Sequence, residues 1–541
     1  MARSVSKPPP RVSKKPPLRV AFAHLDLGIG GAEQLVVNAA LALKHEGHAV
    51  RIFTTHHSPD HCFAPTRGDG ELAASIVVVG DWLPRSVLGR GTALCSTLRM
   101  LYLALYMVLV SAWATTSTSA SASASASACA SASAIDVVVC DGVSAPLPIF
   151  RWGRLPVLFY CHFPDKLLCT ARGSWLKRAY RAPLDYLEEA TTAMADVVVV
   201  NSLFTASIFK QAFPTIARSA AKEPSVLYPV ADFASFTPTD WAAKEGKKKK
   251  KKEEEEEEKN GTAGMFVSLN RFERKKNVGL AIEALAVLKE KLSSSSSAQK
   301  KSAASSSLPR LVVAGGYDPR VAENVAYLKE LEALAAEKGV AQHVTFSPSV
   351  SDAERDRLLQ GASCVVYTPE NEHFGIVPVE AMYAGAPVLA ADSGGPRETV
   401  VDGQTGFLRP NTPEAFAGAL AAFVDDPGLS ERLGRAANAH VTERFGMETF
   451  ARQLDDAVRR ARATAAAADE LPRSLVNGWL LGPVLLVVIS GYMQLTGAGD
   501  ETENALVWRN LGYSGGVCLA VYFAAVWWWW ARPAKAVKLS R

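Results

Sequence analysis

The chain has 541 residues and a formal net charge of +5, too long for one ordinary core and too weakly basic for a nucleic-acid-binding protein. Its eight cysteines, at positions 62, 95, 129, 140, 161, 169, 364 and 518, form no CxxC pair. That scatter, partly within apolar runs, argues against a disulfide framework or a zinc site and suits reduced, buried thiols.

Residues 1–17, MARSVSKPPPRVSKKPP, are basic and proline-rich with no apolar core behind them. They read as a disordered leader rather than a signal peptide. Strand-like runs then recur at Leu18–His24, Ala49–Thr55, Ser75–Gly80, Asp136–Asp141, Val157–His162 and Asp196–Asn201. A second series follows at Met265–Asn270, Arg310–Gly315, His343–Phe346, Cys364–Thr368 and Pro387–Ala391. These runs are continuous and β-branched rather than alternating, as parallel strands covered on both faces require. Helical patterns lie between them. The order predicts an α/β protein with two doubly wound, Rossmann-like domains, at 18–230 and 263–462.

Three low-complexity stretches interrupt this order: the Ser/Ala repeat at 115–134, the Lys/Glu block of the linker at 231–262, and the Ser-rich stretch at 293–307. None can build a core, and the first and third are expected as surface loops. The apolar run Leu98–Ala114 carries Arg99 and is marginal for spanning a bilayer. It is expected as a helix buried in the N-terminal domain or lying partly in the membrane surface. Two later segments, Leu475–Leu495 and Leu511–Ala531, are each long enough to cross a hydrocarbon core of ~30 Å, giving a C-terminal transmembrane hairpin within 475–531. The loop between them is acidic, whereas Arg473, Arg532, Lys535, Lys538 and Arg541 flank them outside. The positive-inside rule therefore predicts both ends in the cytosol, with Arg509 the basic exception in the loop.

Three segments carry candidate chemistry. Gly28-Ile29-Gly30-Gly31-Ala32-Glu33 follows the first strand and precedes a helical pattern. Gly30 and Gly31 would let backbone N–H groups approach a phosphate, although a merely tight turn fits the residues equally well. Arg271-Phe272-Glu273-Arg274-Lys275-Lys276-Asn277 follows the first strand of the second series, where open α/β sheets bind ligands. Its cations suit a diphosphate, an arginine gripping two oxygens and a lysine acting as a point charge, whereas a run of this kind in isolation would be only a solvated charged turn. The third segment is Asn371-Glu372-His373-Phe374-Gly375-Ile376-Val377-Pro378-Val379-Glu380. A helix is expected to start near Pro378, so Phe374, Gly375, Ile376 and Val377 would supply the backbone of an anion site. Glu380 in its first turn could accept from vicinal hydroxyls, or serve only as favourable charge at a helix start.

The two glutamates with His-Phe-Gly between them, followed by Ser393-Gly394-Gly395-Pro396 and Gly403-Gln404-Thr405-Gly406-Phe407, resemble the retaining glycosyltransferases of family 4, which have the GT-B fold. Phe159-Tyr160-Cys161-His162-Phe163-Pro164-Asp165, Ala314-Gly315-Gly316-Tyr317-Asp318 and the Arg271–Asn277 cluster narrow this to members acting on dolichol-linked oligosaccharide. The resemblance runs from about Val20 to Ala461. It implies an N-terminal acceptor domain, a C-terminal GDP-sugar-binding domain and GDP-mannose as donor. It also implies successive α-1,3 and α-1,6 mannose additions to Man-GlcNAc2-diphosphodolichol in N-glycan precursor assembly.

The same resemblance puts Arg271 and Lys276 on the donor diphosphate, with Lys275 the alternative to Lys276 one residue away, Glu380 on the ribose, and Glu372 and His162 near the mannose. Gly30 and Gly31 fall in the segment that closes on the phosphates. Retention without an obvious nucleophile implies front-face displacement, in which charge on the leaving diphosphate must be stabilised. No Asp-x-Asp motif stands where a metal-dependent transferase needs one, so no metal and no cofactor is expected. Expected partners are the lipid bilayer, the dolichol-linked acceptor and other transferases of the pathway, at the cytosolic face of the endoplasmic reticulum membrane. Alternative readings are another family-4 transferase on a lipid-linked acceptor and a non-catalytic GT-B scaffold. A soluble sugar-storage enzyme is disfavoured by the hairpin.

Overall fold

The computed structural model describes residues 15–86, 92–117, 134–168, 175–218, 222–230, 264–298 and 308–467. The basic leader up to position 14, most of the Ser/Ala repeat, the Lys/Glu block and the apolar segments of 475–531 lie outside the described residues.

Two compact units divide the chain. The first falls within Met1–Val200, Ala206–Ser225 and Ala451–Arg541, the second within Asn201–Thr205 and Val226–Phe450. The first is built on β1 (Arg19–Asp26), β2 (Ala49–His56), β3 (Ile76–Val78), β4 (Val137–Asp141), β5 (Val157–Cys161), β6 (Val197–Val200) and β7 (Ser225–Val226), in the spatial order β3-β2-β1-β4-β5-β6-β7. β1 pairs in parallel with both β2 and β4, and β4 in turn with β5. Every residue of β4 and β5 is buried, which is why their sequences are unbroken apolar runs rather than alternating ones.

Helix α1 (Gly31–His45) makes the first crossover, and α2 (Thr92–Ser117) covers β1 and β2. Thr92–Trp113 is long and apolar enough to span a membrane, yet half of it is buried against the sheet. Arg99 explains why it belongs here. Its guanidinium is 1% exposed and pairs with Asp26 at 3.0 Å while donating to the Thr55 carbonyl. A charge buried this deeply is tolerated only with such partners.

The helix Met447–Ala467 runs back to the first unit, where its buried face presents Leu454, Ala457, Val458 and Ala461. His48 fixes it: one ring nitrogen accepts from the Leu18 N–H and the other contacts Asp455 at 2.9 Å. Arg459 donates to the same carboxylate.

The second unit repeats the topology with β8 (Met265–Leu269), β9 (Arg310–Gly315), β10 (Val344–Pro348), β11 (Cys364–Tyr367), β12 (Val388–Ala391) and β13 (Gly406–Arg409), ordered β10-β9-β8-β11-β12-β13. Alternate residues feed opposite faces: Phe266, Val366 and Leu389 join one apolar cluster, Val267, Val365 and Val388 the other. This is the period-two signature of a strand buried on both sides. β13 and the short β7 add strands beyond the eleven expected from sequence. The helix Gly279–Ala298 carries the start of the Ser-rich stretch: Ser293 and Ser294 donate back to the Lys289 and Lys291 carbonyls, so helix persists where a loop was expected. Cys62, Cys95, Cys140, Cys161 and Cys364 are free and buried.

In both sheets the chain starts in the middle, winds outward one way, then returns to wind outward the other way. The reversal leaves a crevice beyond the carboxyl ends of the two central strands, where doubly wound sheets bind ligands. In the first unit that crevice lies between β1 and β4, in the second between β8 and β11.

Candidate functional site

The segments singled out by sequence reach these two crevices. In the second unit, β8 delivers the basic turn and β11 delivers the glutamate loop. Phe272 and Val278 are buried on either side of the turn at Arg274–Lys276 and pin its ends in the core. Asn270 N–H donates to the Ala314 carbonyl and Phe272 N–H to the Gly316 carbonyl, so the Gly315-Gly316 backbone braces the start of the basic segment. A side chain at Gly315 would meet the Asn270 carbonyl oxygen at 2.1 Å, and its φ is +140°. Only glycine fits there.

Lys276 is the cation that turns inward. Its Nζ lies 2.5 Å from a Glu372 carboxylate oxygen, both side chains largely shielded, and Thr368 Oγ1 donates to the Lys276 carbonyl. Lys275 instead pairs with Glu273 at 3.1 Å, as does Arg271 at 2.9 Å, and the Arg271 side chain is more than half exposed. Of the two lysines it is thus Lys276 that neighbours Glu372.

The glutamate loop is held by the Ser393-Gly394-Gly395 turn. Ser393 Oγ accepts from the Asn371 N–H, and Gly395 N–H donates to the Glu372 carbonyl. Cβ atoms at Gly394 or Gly395 would overlap the backbone of Glu372 and Phe374. Phe374 is buried against Tyr228 and Phe445, each with ring centroids 5.7 Å away. Gly375, at φ +81°, then caps the helix Ile376–Tyr383, which begins two residues before Pro378. Gly375, Ile376 and Val377 consequently sit at a helix N-terminus, where unpaired N–H groups favour an anion. Because the helix starts at Ile376, Glu380 is its fifth residue, half-buried and just past the first turn.

Tyr367 lies beneath this group and was not singled out by sequence. Burial pushes its phenol well above the ordinary range, Glu372 and Glu380 push it further, and Arg271 opposes them. Arg271, Lys276, Glu372 and Glu380 thus share one electrostatic neighbourhood in the second unit.

The first unit assembles the other candidates. Gly30 caps α1 and Gly31 is its first residue; no atom lies within 4 Å of a Cβ built at Gly31. His162 follows β5, its ring centroid 4.8 Å from that of Tyr160, and its Nε2 is 2.7 Å from Asp141 Oδ1. Asp141 ends β4 and also contacts His24 Nδ1 at 2.9 Å, an ion pair off the line of a hydrogen bond. Burial disfavours charge on both residues, but their mutual attraction outweighs it. His24, also near Glu33, is raised to about 9, and Asp141, flanked by His162 and His24, falls well below the usual carboxylate range. Asp141 and His24 escaped the sequence reading because each sits inside an apolar strand run.

Residues 29–220 match the Glycosyltransferase Family 4 domain and residues 249–440 the glycosyl transferases group 1 domain. The chain is 45% identical to the alpha-1,3/1,6-mannosyltransferase ALG2 of Mus musculus, over 80% of this chain and 94% of that one. It is 44% identical to the Homo sapiens protein of the same name, with the same coverage. Among solved structures it resembles the sucrose-phosphate synthase of Thermosynechococcus elongatus, with a TM-score of 0.55 at 19% identity, over 82% of this chain and 99% of that one. At that identity the likeness speaks for the fold alone, an α/β GT-B architecture of two Rossmann-like domains.

Proposed function

The chain belongs to the alpha-1,3/1,6-mannosyltransferase family, and on that premise we propose that it transfers mannose from GDP-mannose to a dolichol-diphosphate-linked oligosaccharide, adding one α-1,3 and one α-1,6 residue to Man-GlcNAc2. The observation that carries the donor half is the Lys276–Glu372 pair beside the N-terminus of Ile376–Tyr383, at the switch point of the second sheet. A lysine ammonium next to free helix N–H groups suits a diphosphate leaving group.

In this reading Lys276 and Arg271 take the donor phosphates with the N–H groups of Gly375, Ile376 and Val377, and Glu380 takes the ribose hydroxyls. As the glycosidic C–O bond breaks, negative charge grows on the diphosphate, and these preorganised donors stabilise it without reorganisation. Glu372 holds the Lys276 ammonium in place before the donor arrives and lies beside the mannose afterwards. His162 orients the sugar, and Gly30 with Gly31 contributes backbone N–H groups at the start of α1. The departing phosphate takes the acceptor hydroxyl's proton from the same face, retaining the α configuration. Among the described residues no group of three or more His, Cys, Asp or Glu side chains is placed to hold a metal ion, and the scheme calls on none.

The apolar segments at 475–495 and 511–531 would anchor the protein in the endoplasmic reticulum membrane, with the basic flanks and both units on the cytosolic side. Incubating the purified full-length protein with GDP-mannose and Man-GlcNAc2-diphospholipid tests the reading. Two successive products, carrying α-1,3 and α-1,6 linkages, are expected. Transfer of glucose or N-acetylglucosamine with no mannose transfer would overturn it, and protease protection of the two units in sealed microsomes would overturn the orientation.

A further inference from the structure

Three strand ends meet in the first unit's crevice, and the residues there form a connected series of charges. β1, β4 and β5 are neighbours in the sheet; His24 lies two residues inside the carboxyl end of β1, Asp141 ends β4 and His162 follows β5. Asp141 is 3% exposed and is shared: His162 Nε2 at 2.7 Å on one oxygen, His24 Nδ1 at 2.9 Å on the other. The opposite nitrogen of His24 lies 3.9 Å from Glu33. Glu33 belongs to the first turn of α1 and folds back over Gly30, where a Cβ would sit 2.3 Å from its carboxylate. The path therefore runs without interruption from the glycine turn to His162.

We propose that Asp141, steadied by His24 and Glu33, is the positioning residue that fixes the His162 ring for mannosyl transfer and ties that ring to the glycine turn. The proposal rests on the reading of His162 given above and extends it to residues that touch no reactant. A carboxylate buried against one imidazole nitrogen dictates which nitrogen carries the proton and which way the ring faces. With Nε2–H directed at Asp141, Nδ1 is the nitrogen turned to the sugar and phosphate.

An isolated buried carboxylate is costly, and the rest of β4 is Val137, Val138, Val139 and Cys140, all apolar and buried. A side chain needed only for packing would follow that pattern. Asp141 instead stays ionised because two imidazoles face it, and His24 stays charged because two carboxylates face it. The other titratable groups around the cluster, Cys140, Tyr160 and Cys161, are buried and hold their protons far above the working range. They add no competing charge.

The test is kinetic, on the full-length protein with GDP-mannose and the lipid-linked acceptor. Asp141→Asn keeps the shape and removes the charge. It is expected to lower kcat by roughly 100-fold or more, as loss of an orienting carboxylate does elsewhere, and to leave the KM for GDP-mannose within about threefold. The pH limb of kcat should move by about one unit, a change that loosened packing alone would not produce. Glu33→Gln, half-buried at the helix start and removable without a core defect, is expected to lower kcat in the same direction while the protein stays folded. Wild-type kcat and pH dependence in a folded Asp141→Asn protein would overturn the proposal. If that variant does not fold, unchanged kcat in Glu33→Gln would overturn it. His162→Ala separates the two ideas: full activity there removes the role of His162 itself, whereas lost activity there with an unaffected Asp141→Asn removes only the positioning role.

Discussion

Replacing Gly395 with alanine probes the brace under the glutamate loop. Gly395 has φ −59° and ψ −34°, a conformation open to any residue, so the change adds no backbone strain of its own. What it adds is one methyl group, whose carbon would lie 2.3 Å from the Phe374 carbonyl oxygen, 2.4 Å from its Cα and 2.5 Å from its carbonyl carbon. Relaxed carbon contacts begin near 3.5 Å, so the two strands of the turn must separate by roughly 1 Å. Phe374 cannot retreat freely, because its ring is buried between Tyr228 and Phe445. The displacement is therefore passed to Glu372 and to the Gly375 cap. Overpacking of this kind costs about 1–3 kcal/mol, and a 1 Å misplacement of positioning groups costs on the order of 100-fold in rate. Mannosyl transfer should fall by about that factor, with a melting temperature lower by several degrees. A Gly395→Ala protein that transfers mannose within threefold of wild type, with unshifted melting, would refute the reasoning.

Gly31→Ala makes the opposite case. Space is open around its Cβ and α1 gains a better helix former, so melting should hold or rise; donor KM should rise if the turn's backbone touches phosphate, and an unchanged KM would assign the turn a structural role only. Glu380→Ala is expected to weaken GDP binding measured calorimetrically, whereas Glu372→Ala, which frees Lys276, should act mainly on kcat; equal activity of both with wild type would remove the donor-site assignment. His24, raised to about 9 by its carboxylate neighbours against the pull of burial, contributes stability that is complete below its ordinary value near 6.5 and lost as pH climbs through 9. Melting should therefore decline over that window by the equivalent of up to about 3 kcal/mol, and His24→Gln should flatten the decline. Transfer in excess EDTA is expected to match the untreated rate, and a loss restored by added divalent cation would contradict the proposed leaving-group stabilisation.

The sequence made the doubly wound architecture legible because parallel strands buried on both faces leave unbroken apolar runs. Strands such as Val137–Asp141 and Arg310–Gly315 stand out for that reason. β7, two residues long, and β13, partly exposed, carry no such run and could not be seen. Lys276 and Glu372 were legible as a charged cluster and a loop glutamate, since both depart from their surroundings. Their contact was not, because it joins residues 96 positions apart through a sheet order that no local pattern encodes. The Asp141 cluster was hidden for a related reason. His24 and Asp141 come from separate strands and each is embedded in an apolar run, so only the sheet order brings them to His162, which the resemblance had already marked.

The return of Met447–Ala467 to the first unit has a consequence for the order in which this protein can be made. His48 waits in the first fifty residues for a carboxylate at Asp455, so the N-terminal unit emerges from the ribosome without its closing helix. All of Val226–Phe450 must be synthesised in between. At about 5–20 residues per second that interval is roughly 10–50 s. The second unit, contiguous except for Asn201–Thr205, can finish folding first. The earlier-born unit meanwhile carries an uncovered apolar face where Leu454 and Val458 will dock, and it is this nascent species, rather than the finished enzyme, that stands to need a chaperone.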